Sequence, residues 1–303
     1  MARHLDIDQL AINTIRTLVI DAIQKSQSGH PGTPIDAAPT AYTLWQRFLR
    51  YDPDHPSWMN RDRFVLSSGH ASMLLYSLIH LAGIKAVSQS YEKLGGEAVT
   101  LDDIKTFRQA GSRCPGHPEY GSGHLRLANL CWIYDSNRVT IEGHTDITFT
   151  EDVAARFLGY GWNVTRVTDP NDPEMLVRGY QNFLDNNDTP TLIIVHSHIG
   201  YGAPHKQDTA AAHGEPLGDE EARLTKEFFG FSPDEFFVVP DGVREHFKAN
   251  LGKRGAHLRK EWDQLFERYR AQYPDLGDQV GRMLMGHRRR GGPGPEHQNP
   301  AHL

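Results

Sequence analysis

Four histidines of this sequence stand beside glycines, at places where helices or strands are predicted to end. They are His30 in SGHPG, His70 in SSGHAS, His117 in GHPE and His213 in AAHGEPLG. Ligands of open parallel sheets bind outside the carboxyl ends of the strands, so loop histidines there are candidates for substrate contact. Imidazole changes charge near neutral pH, and four together would supply hydrogen-bond donors and proton carriers to one cleft. Taken singly, each is more simply a polar residue that stabilises a turn.

Other groups with metal or nucleophile chemistry carry weaker signals. His196 and His198 alternate along a predicted strand and could chelate a metal, but no Glu or Cys completes a recognised zinc spacing. Cys114 and Cys131 are too few for a disulfide framework or a cysteine zinc site. Neither stands in a recognisable nucleophile setting, so both are expected to be buried small hydrophobes.

Composition excludes several classes of function. The 303 residues carry 32 Lys and Arg against 38 Asp and Glu, and this net charge of −6 argues against nonspecific nucleic-acid binding. No apolar run reaches the roughly 18 residues that a membrane span requires. The N-terminus MARHLDIDQL lacks the apolar stretch of a secretory signal. We therefore expect a soluble, cytoplasmic protein that binds neither nucleic acid nor membrane.

Apolar spacing at three- and four-residue steps predicts the helices. They cover residues 12–23, 36–49, 71–81, 173–184, 218–229 and 260–269. Thr100 and Asp103 form the pattern of a capping box, which predicts a further helix over 101–108. Asp172 can cap the helix that begins at Pro173, since proline is favoured at the first helical position.

Four short apolar runs predict buried strands. They are residues 63–66, 127–134, 162–167 and 191–196, and their apolar character on both faces is typical of a parallel sheet. The order strand, helix, strand in the second half predicts a right-handed crossover. The fold class that follows is α/β, a doubly wound and mostly parallel sheet flanked by helices. We expect one domain over 1–275 and a disordered Gly-, Pro- and Arg-rich tail or linker over 276–303.

Nine ordered motifs make the sequence resemble the N-terminal, pyrophosphate-binding domain of transketolases. They are SGHPG (28–32), RDRFVLSSGH (61–70), FRQ (107–109), PGHPE (115–119), YDSN (134–137), FTED (149–152), GYGW (159–162), IGYGAP (199–204) and HGEPLG (213–218). The resemblance covers about residues 12–273. It implies the thiamine-diphosphate-binding fold and the transfer of a two-carbon ketol unit between sugar phosphates.

The resemblance also implies roles for the histidines. His70 and Gly116 would bind the thiamine diphosphate, His70 at its diphosphate. His30, His117 and His213 would line the catalytic site and contact the hydroxyls and carbonyl oxygen of the donor sugar. The protein would position the cofactor, and the cofactor would stabilise the carbanion.

A metal ion, Mg²⁺ or Ca²⁺, is implied together with the cofactor. Asn137 would be a cofactor-binding residue and a metal ligand through its side-chain oxygen, and Val139 would be a ligand through its backbone carbonyl. Oxygen ligands of this kind suit hard divalent cations that bridge to phosphate oxygens.

One block of the family pattern is missing around residues 120–124. Between Glu119 and Leu125 the chain reads YGSGH, where the family carries several dozen further residues. That block contains the family's Gly-Asp-Gly, whose Asp ligates the metal, and no Gly-Asp-Gly occurs in this chain. We expect a sheet shortened by one strand and its flanking helices, closed by a tight turn over 121–124, and a doubtful cofactor site.

The missing parts lead to three readings of the function. In the first, the chain is inactive or strongly impaired alone, because both the Gly-Asp-Gly block and the pyrimidine-binding domain are absent. The second is the N-terminal subunit of a split, active transketolase that a separate pyrimidine-domain chain completes, and the third is a non-catalytic binding or assembly module. The gap itself could be evolved, spliced or engineered. A homodimer is expected, because the family's sites form between subunits and uncovered apolar surface favours association.

Overall fold

The first half of the chain is built around one buried helix. The computed structural model describes residues 6–88, 92–117 and 129–289, with side chains up to residue 282. Helix α1 (Ile7–Ser26) begins at Asp6, whose carboxylate accepts a hydrogen bond from the Gln9 backbone N–H at 2.7 Å. Every residue of α1 over 11–23 is buried, which confirms the helix predicted over 12–23.

The helix predicted over 36–49 is divided into shorter pieces. Helix α2 (Gly32–Asp36) is followed by α3 (Ala38–Thr43) and by a π-helical turn over Leu44–Phe48. Pro39 stands in the first turn of α3, where its missing N–H and fixed φ are tolerated, but it cannot continue a helix from α2. The apolar spacing found the buried face and not the break.

Helix α4 (Ser72–Leu81) follows a 3₁₀ turn over Gly69–Ala71 and packs against α1. The strand predicted over 63–66 is wrong, because these residues form an irregular segment. Phe64 packs its ring edge-on against Trp45, with the ring centroids 5.7 Å apart, while Val65 is 66% exposed. The short apolar run therefore predicts a strand that this segment does not form.

A two-stranded antiparallel ribbon comes next, and the sequence did not predict it. Strands β1 (Lys85–Val87) and β2 (Lys93–Glu97) pair with each other, and β2 is largely exposed. Helix α5 (Leu101–Lys105) then begins at the capping box of Thr100 and Asp103, which confirms that prediction. The helix ends earlier than the expected residue 108.

The parallel sheet has three strands in the order β3-β5-β4. They are β3 (Cys131–Asp135), β4 (Asn163–Val167) and β5 (Thr191–Val195). Helix α6 (Val153–Gly159) covers one face and α7 (Pro173–Asp185) covers the other. The flanked, mostly parallel α/β fold is therefore confirmed, as is the cap of α7 by Asp172.

Burial differs sharply among these strands. All five residues of β5 are buried, as expected for a central strand. In β3, Trp132 is 49% exposed and Ile133 is 37% exposed, and β4 is mostly half-buried. The expectation of full burial is therefore wrong for β3 and β4, because each pairs with β5 on one side only within the described residues. The turn predicted over 121–124 lies outside the described residues.

The C-terminal part is helical. It comprises α8 (Asp219–Phe228), α9 (Val243–Phe247), a π-helical turn over Lys248–Gly252, α10 (Lys253–Gln272) and α11 (Pro274–Arg289). Helices α8 and α10 correspond to the predictions over 218–229 and 260–269. The predicted tail over 276–303 is helical up to Arg289, and its remainder lies outside the described residues. None of the helices in the described part of the chain is long and apolar enough to cross a membrane.

Candidate functional site

Three of the four predicted histidines form a cluster of rings. The ring centroids of His30 and His70 lie 5.1 Å apart, those of His70 and His213 5.4 Å, and those of His30 and His213 6.1 Å. His117 borders the cluster, since a Cβ placed on Gly69 would lie 3.0 Å from its ring carbon Cδ2. Three of the predicted histidines therefore lie together, and His117 lies beside them.

The glycines of the SGHPG motif bring the His30 loop to this place. Gly29 has a φ of +144°, and a Cβ there would lie 2.8 Å from Ile23 of α1. A Cβ on Gly32 would lie 2.4 Å from the carbonyl oxygen of Ala212, directly before His213. The absence of side chains at these two positions therefore lets the loop rest on α1 and against the segment that carries His213.

The clustered imidazoles are neutral at physiological pH. Burial, followed by the charges of His70 and Arg108, lowers the pKa of His30 to about 4. Burial is also the main reason why the pKa of His70 and the pKa of His213 fall below the ordinary value. A neutral imidazole has one N–H donor and one acceptor nitrogen, so each ring can both give and take a hydrogen bond.

Two ring nitrogens of the cluster lack hydrogen-bond partners among the described residues. They are Nε2 of His70 and Nδ1 of His213, and both are buried. A buried polar atom without a partner costs about 1–3 kcal/mol, and a ligand that supplies the partner recovers this cost. These nitrogens mark where a polar ligand would be received.

Arg108 belongs to the same site, although its only sequence signal is its place in the FRQ motif. Its Nη1 donates to the hydroxyl of Ser28 at 2.9 Å, and its Nη2 donates to Nδ1 of His30 at 3.3 Å. Gly116, predicted to bind the cofactor, lies against this guanidinium and accepts a hydrogen bond from Ser72 through its carbonyl at 2.8 Å. Arg108, Gly116 and His117 line one cavity of about 750 Å³.

The predicted metal ligands lie in the loop that follows β3, and Val139 packs in one apolar cluster with Ala212, the residue before His213. The amide nitrogen of Asn137 donates to Asp135 at 2.8 Å, and its Oδ1 accepts a hydrogen bond from the Val139 backbone N–H at 3.1 Å. Asn137 and Val139 line a second cavity, of about 690 Å³. The side chain of Asn137 is thus used to hold its own loop.

Behind Asn137 stands a polar network that sequence reasoning missed. The hydroxyl of Ser197 contacts the carboxylates of both Asp135 and Asp36. Burial, with the Asp135 charge second, holds the pKa of Asp36 well above its usual range, and burial also raises the pKa of Asp135. Asp36 and Ser197 carry no recognisable motif, so only their burial reveals them.

The two halves of the site differ in how well they fit a metal-bound diphosphate. The histidine half offers buried, unpartnered ring nitrogens. In the described ranges, no group of three or more His, Cys, Asp or Glu residues is arranged to hold a metal ion. Nδ1 of His198, one of the alternative chelating pair, is hydrogen-bonded to Asp208 at 2.8 Å. The histidines therefore fit the diphosphate side of the cofactor, whereas Oδ1 of Asn137 already accepts the Val139 N–H.

Neither cysteine has the surroundings of a nucleophile. Both are free thiols, Cys114 buried and Cys131 half-buried. Burial raises the pKa of each thiol to about 12, so the nucleophilic thiolate is scarce at neutral pH.

Comparison with known proteins identifies the family of the chain. The family model described as "Transketolase, thiamine diphosphate binding domain" matches residues 7–123 and 121–288. The chain belongs to this family. The resemblance drawn from the nine motifs is therefore confirmed.

Individual transketolases match almost the whole chain. The transketolase of Geobacillus stearothermophilus is 39% identical, over 92% of this chain and 50% of that protein. Transketolase 1 of Saccharomyces cerevisiae is 36% identical, over 94% of this chain and 49% of the relative. A crystal structure of a Pichia stipitis transketolase mutant superposes with a TM-score of 0.83 at 31% identity, over 93% of this chain and 49% of that one. The chain spans about half the length of the relatives it matches.

The comparisons also locate the internal gap. The alignment with the Geobacillus transketolase runs over 345 positions, more than the 303 residues of this chain, so several dozen positions of the relative have no counterpart here. The two segments of the family match meet at residues 121–123. The missing block therefore precedes β3, the strand whose outer edge is exposed.

Proposed function

We propose that this transketolase-family chain keeps the diphosphate-binding half of a thiamine diphosphate site and does not transfer ketol groups alone. One contrast carries the proposal. His70 and His213 present buried, unpartnered ring nitrogens, whereas the amide of Asn137 is engaged at both of its polar atoms. The histidine half has free ring nitrogens for phosphate oxygens, whereas the amide of Asn137 forms hydrogen bonds within its own loop.

Each histidine has a definite task in this proposal. Neutral His70 and His213 rings each have one N–H, which donates to a phosphate oxygen, and burial lowers the pKa of both rings. His30 and His117 border the same space and face the donor sugar. Thiamine diphosphate, when bound, supplies carbanion stabilisation, which no side chain here can replace.

Phosphorylated sugars are the ligand class for the remaining space. One Pichia stipitis transketolase structure is a complex with sedoheptulose 7-phosphate. For this chain, such a sugar would face His30 and His117 only after a pyrimidine-binding domain and a metal complete the site. Homodimerisation belongs to the same proposal, because the exposed apolar residues Trp132 and Ile133 of β3 would be covered by a second copy.

Calorimetric titration of the full chain with thiamine diphosphate tests the histidine half directly. We expect saturable binding that His70→Ala and His213→Ala each weaken about tenfold, the loss of about one charge-assisted hydrogen bond. His257→Ala is the matched control, because His257 lies exposed on α10. The absence of binding by the parent chain would overturn the proposal, as would binding that neither cluster variant weakens.

Ketol transfer is the second readout of the same samples. The proposal predicts no turnover by the chain alone, above that of a variant lacking both His70 and His117. Turnover by the lone chain would overturn it. Turnover restored only by a separate pyrimidine-domain chain would overturn the claim that the metal half is not built, and would establish the split enzyme instead.

A further inference from the structure

Arg108 occupies an unusual backbone position. Its φ is +59°, in the left-handed region that residues with a side chain rarely adopt. Its backbone N–H donates to the carbonyl of Cys114 at 3.0 Å, so this conformation closes the loop that leads to Gly116 and His117. Strained positions of this kind persist where the surroundings fix them, and they concentrate at functional sites.

The guanidinium of Arg108 is held by groups that are themselves uncharged. It donates to Ser28 at 2.9 Å and to His30 at 3.3 Å, and no carboxylate of the described residues pairs with it. A Cβ on Gly116 would lie 2.8 Å from Nε of Arg108 and 3.1 Å from Cζ. Gly116 therefore leaves the space in which the guanidinium plane lies.

The direction of one hydrogen bond decides the protonation of His30. Arginine has donors only, so Nδ1 of His30 must be the acceptor. The ring proton is then on Nε2, which points to the His213 loop, 3.7 Å from where a Cβ of Gly214 would be. The arginine charge also disfavours a second proton on the ring, since a neighbouring like charge destabilises imidazolium.

We infer that Arg108 is a positioning residue that holds His30 as the neutral Nε2–H tautomer, with its N–H directed into the histidine cluster. Ser28 and Gly116 fix the guanidinium, and the guanidinium fixes the ring. Only the use of that N–H toward a ligand rests on the proposed function. The tautomer itself is a property of the chain without any ligand.

Long-range ¹H–¹⁵N correlation spectra of the full chain, recorded between pH 4 and pH 8, measure the tautomer and titration of His30. We expect the Nε2–H form in the parent chain. Arg108→Met keeps the length of the side chain and removes its donors and charge; in this variant His30 loses its tautomer preference and its pKa rises toward the ordinary value. Arg108→Lys keeps the positive charge but lacks the paired donors of the guanidinium. The pKa of His30 should therefore stay low while its tautomer preference weakens.

Arg178→Met is the matched control, because Arg178 is exposed on α7. It should leave the His30 signals unchanged. A parent chain with the proton on Nδ1 would overturn the inference without any variant, as would an Arg108→Met spectrum identical to that of the parent. Failure to bind thiamine diphosphate, with the Nε2–H tautomer intact, would overturn the proposed function and leave this inference standing.

Discussion

The histidine half and the sheet half of the site are built in different ways. The histidines stand on loops that rest on α1, whose residues over 11–23 are all buried. Asn137 and Val139 follow β3, an edge strand whose Trp132 and Ile133 are exposed. The missing block precedes β3 and not α1. Under the proposed function, the chain keeps the first of these two parts of the cofactor site and not the second.

Packing explains why the first part survives. The contacts that gather the rings run between α1, α4 and the segments around Gly32 and Ala212, all of which the chain retains. The second part needs a neighbour for β3, and the described residues provide β5 alone. Without it, the loop after β3 satisfies its polar groups internally through Asp135 and Asn137. Four substitutions and conditions can break or sharpen this contrast.

The largest effect is expected in the helical core. Lys226 of α8 and Asp21 of α1 form a buried ion pair at 2.9 Å, each side chain 2% exposed. Lys226→Met leaves the Asp21 carboxylate buried without its cation, and it should lower the free energy of unfolding by about 3–5 kcal/mol. Chemical denaturation measures the loss. Lys105→Met, which removes an exposed partner of Asp102, should cost at most about 0.5 kcal/mol.

A smaller effect is expected at the contact that joins two histidine loops. A Cβ on Gly32 would meet the backbone carbonyl of Ala212, which cannot swing away as a side chain can. Gly32→Ala should therefore cost about 1–3 kcal/mol and move the His30 and His213 ring signals. Gly96→Ala is the same chemical change in open space on β2. Equal stability of the two variants would show that the loops are not held by this contact.

Acid should weaken the histidine half next. The pKa of His30 is about 4 in the folded chain and near 6.5 when unfolded, so the unfolded chain binds more protons between these values. The free energy of unfolding therefore rises with pH across this window and falls as the pH drops from 6.5 to 4. His30→Gln lacks this titrating group. Between pH 6.5 and pH 4, its melting temperature should therefore fall by a few degrees less than that of the parent chain. A parallel pH profile in His30→Gln would contradict the depressed pKa.

The smallest effect is expected at the edge of the sheet. Ile133→Ser on exposed β3 should cost no more than about 1 kcal/mol, whereas Ile193→Ser on buried β5 should cost about 3 kcal/mol or more. If the β3 edge mediates the proposed self-association, Ile133→Ser also lowers the mass measured by light scattering at high concentration. Equal destabilisation by the two substitutions would show that β3 is covered after all.

The sequence predicted those features that depend on periodicity. Helix α1 and the central strand β5 were found because a buried helical face and a buried strand leave regular apolar patterns. The strand expected over 63–66 failed because three apolar residues do not show whether a neighbouring strand exists. The exposure of β3 could not be predicted either, because an apolar run has the same sequence whether or not another strand pairs with its outer edge.

The site was predictable to the extent that its residues sit in motifs. Glycines beside His30, His70 and His213 signalled close approaches, and the rings do meet. Arg108 could not be recognised, because its importance comes from a left-handed backbone conformation and from contacts across 78 and 80 positions of the chain. Polar residues buried by tertiary packing, such as Asp36, look like any surface residue in the sequence.

The most direct test is calorimetric titration of the full chain with thiamine diphosphate in the presence and absence of Mg²⁺. A site that keeps its histidines and lacks its metal half should bind thiamine diphosphate with affinities that agree within about twofold in the two conditions, less than 0.5 kcal/mol. Binding that tightens about tenfold or more with Mg²⁺, a gain of about 1.4 kcal/mol, would contradict the account. It would mean that Asn137 and Val139 still hold a metal.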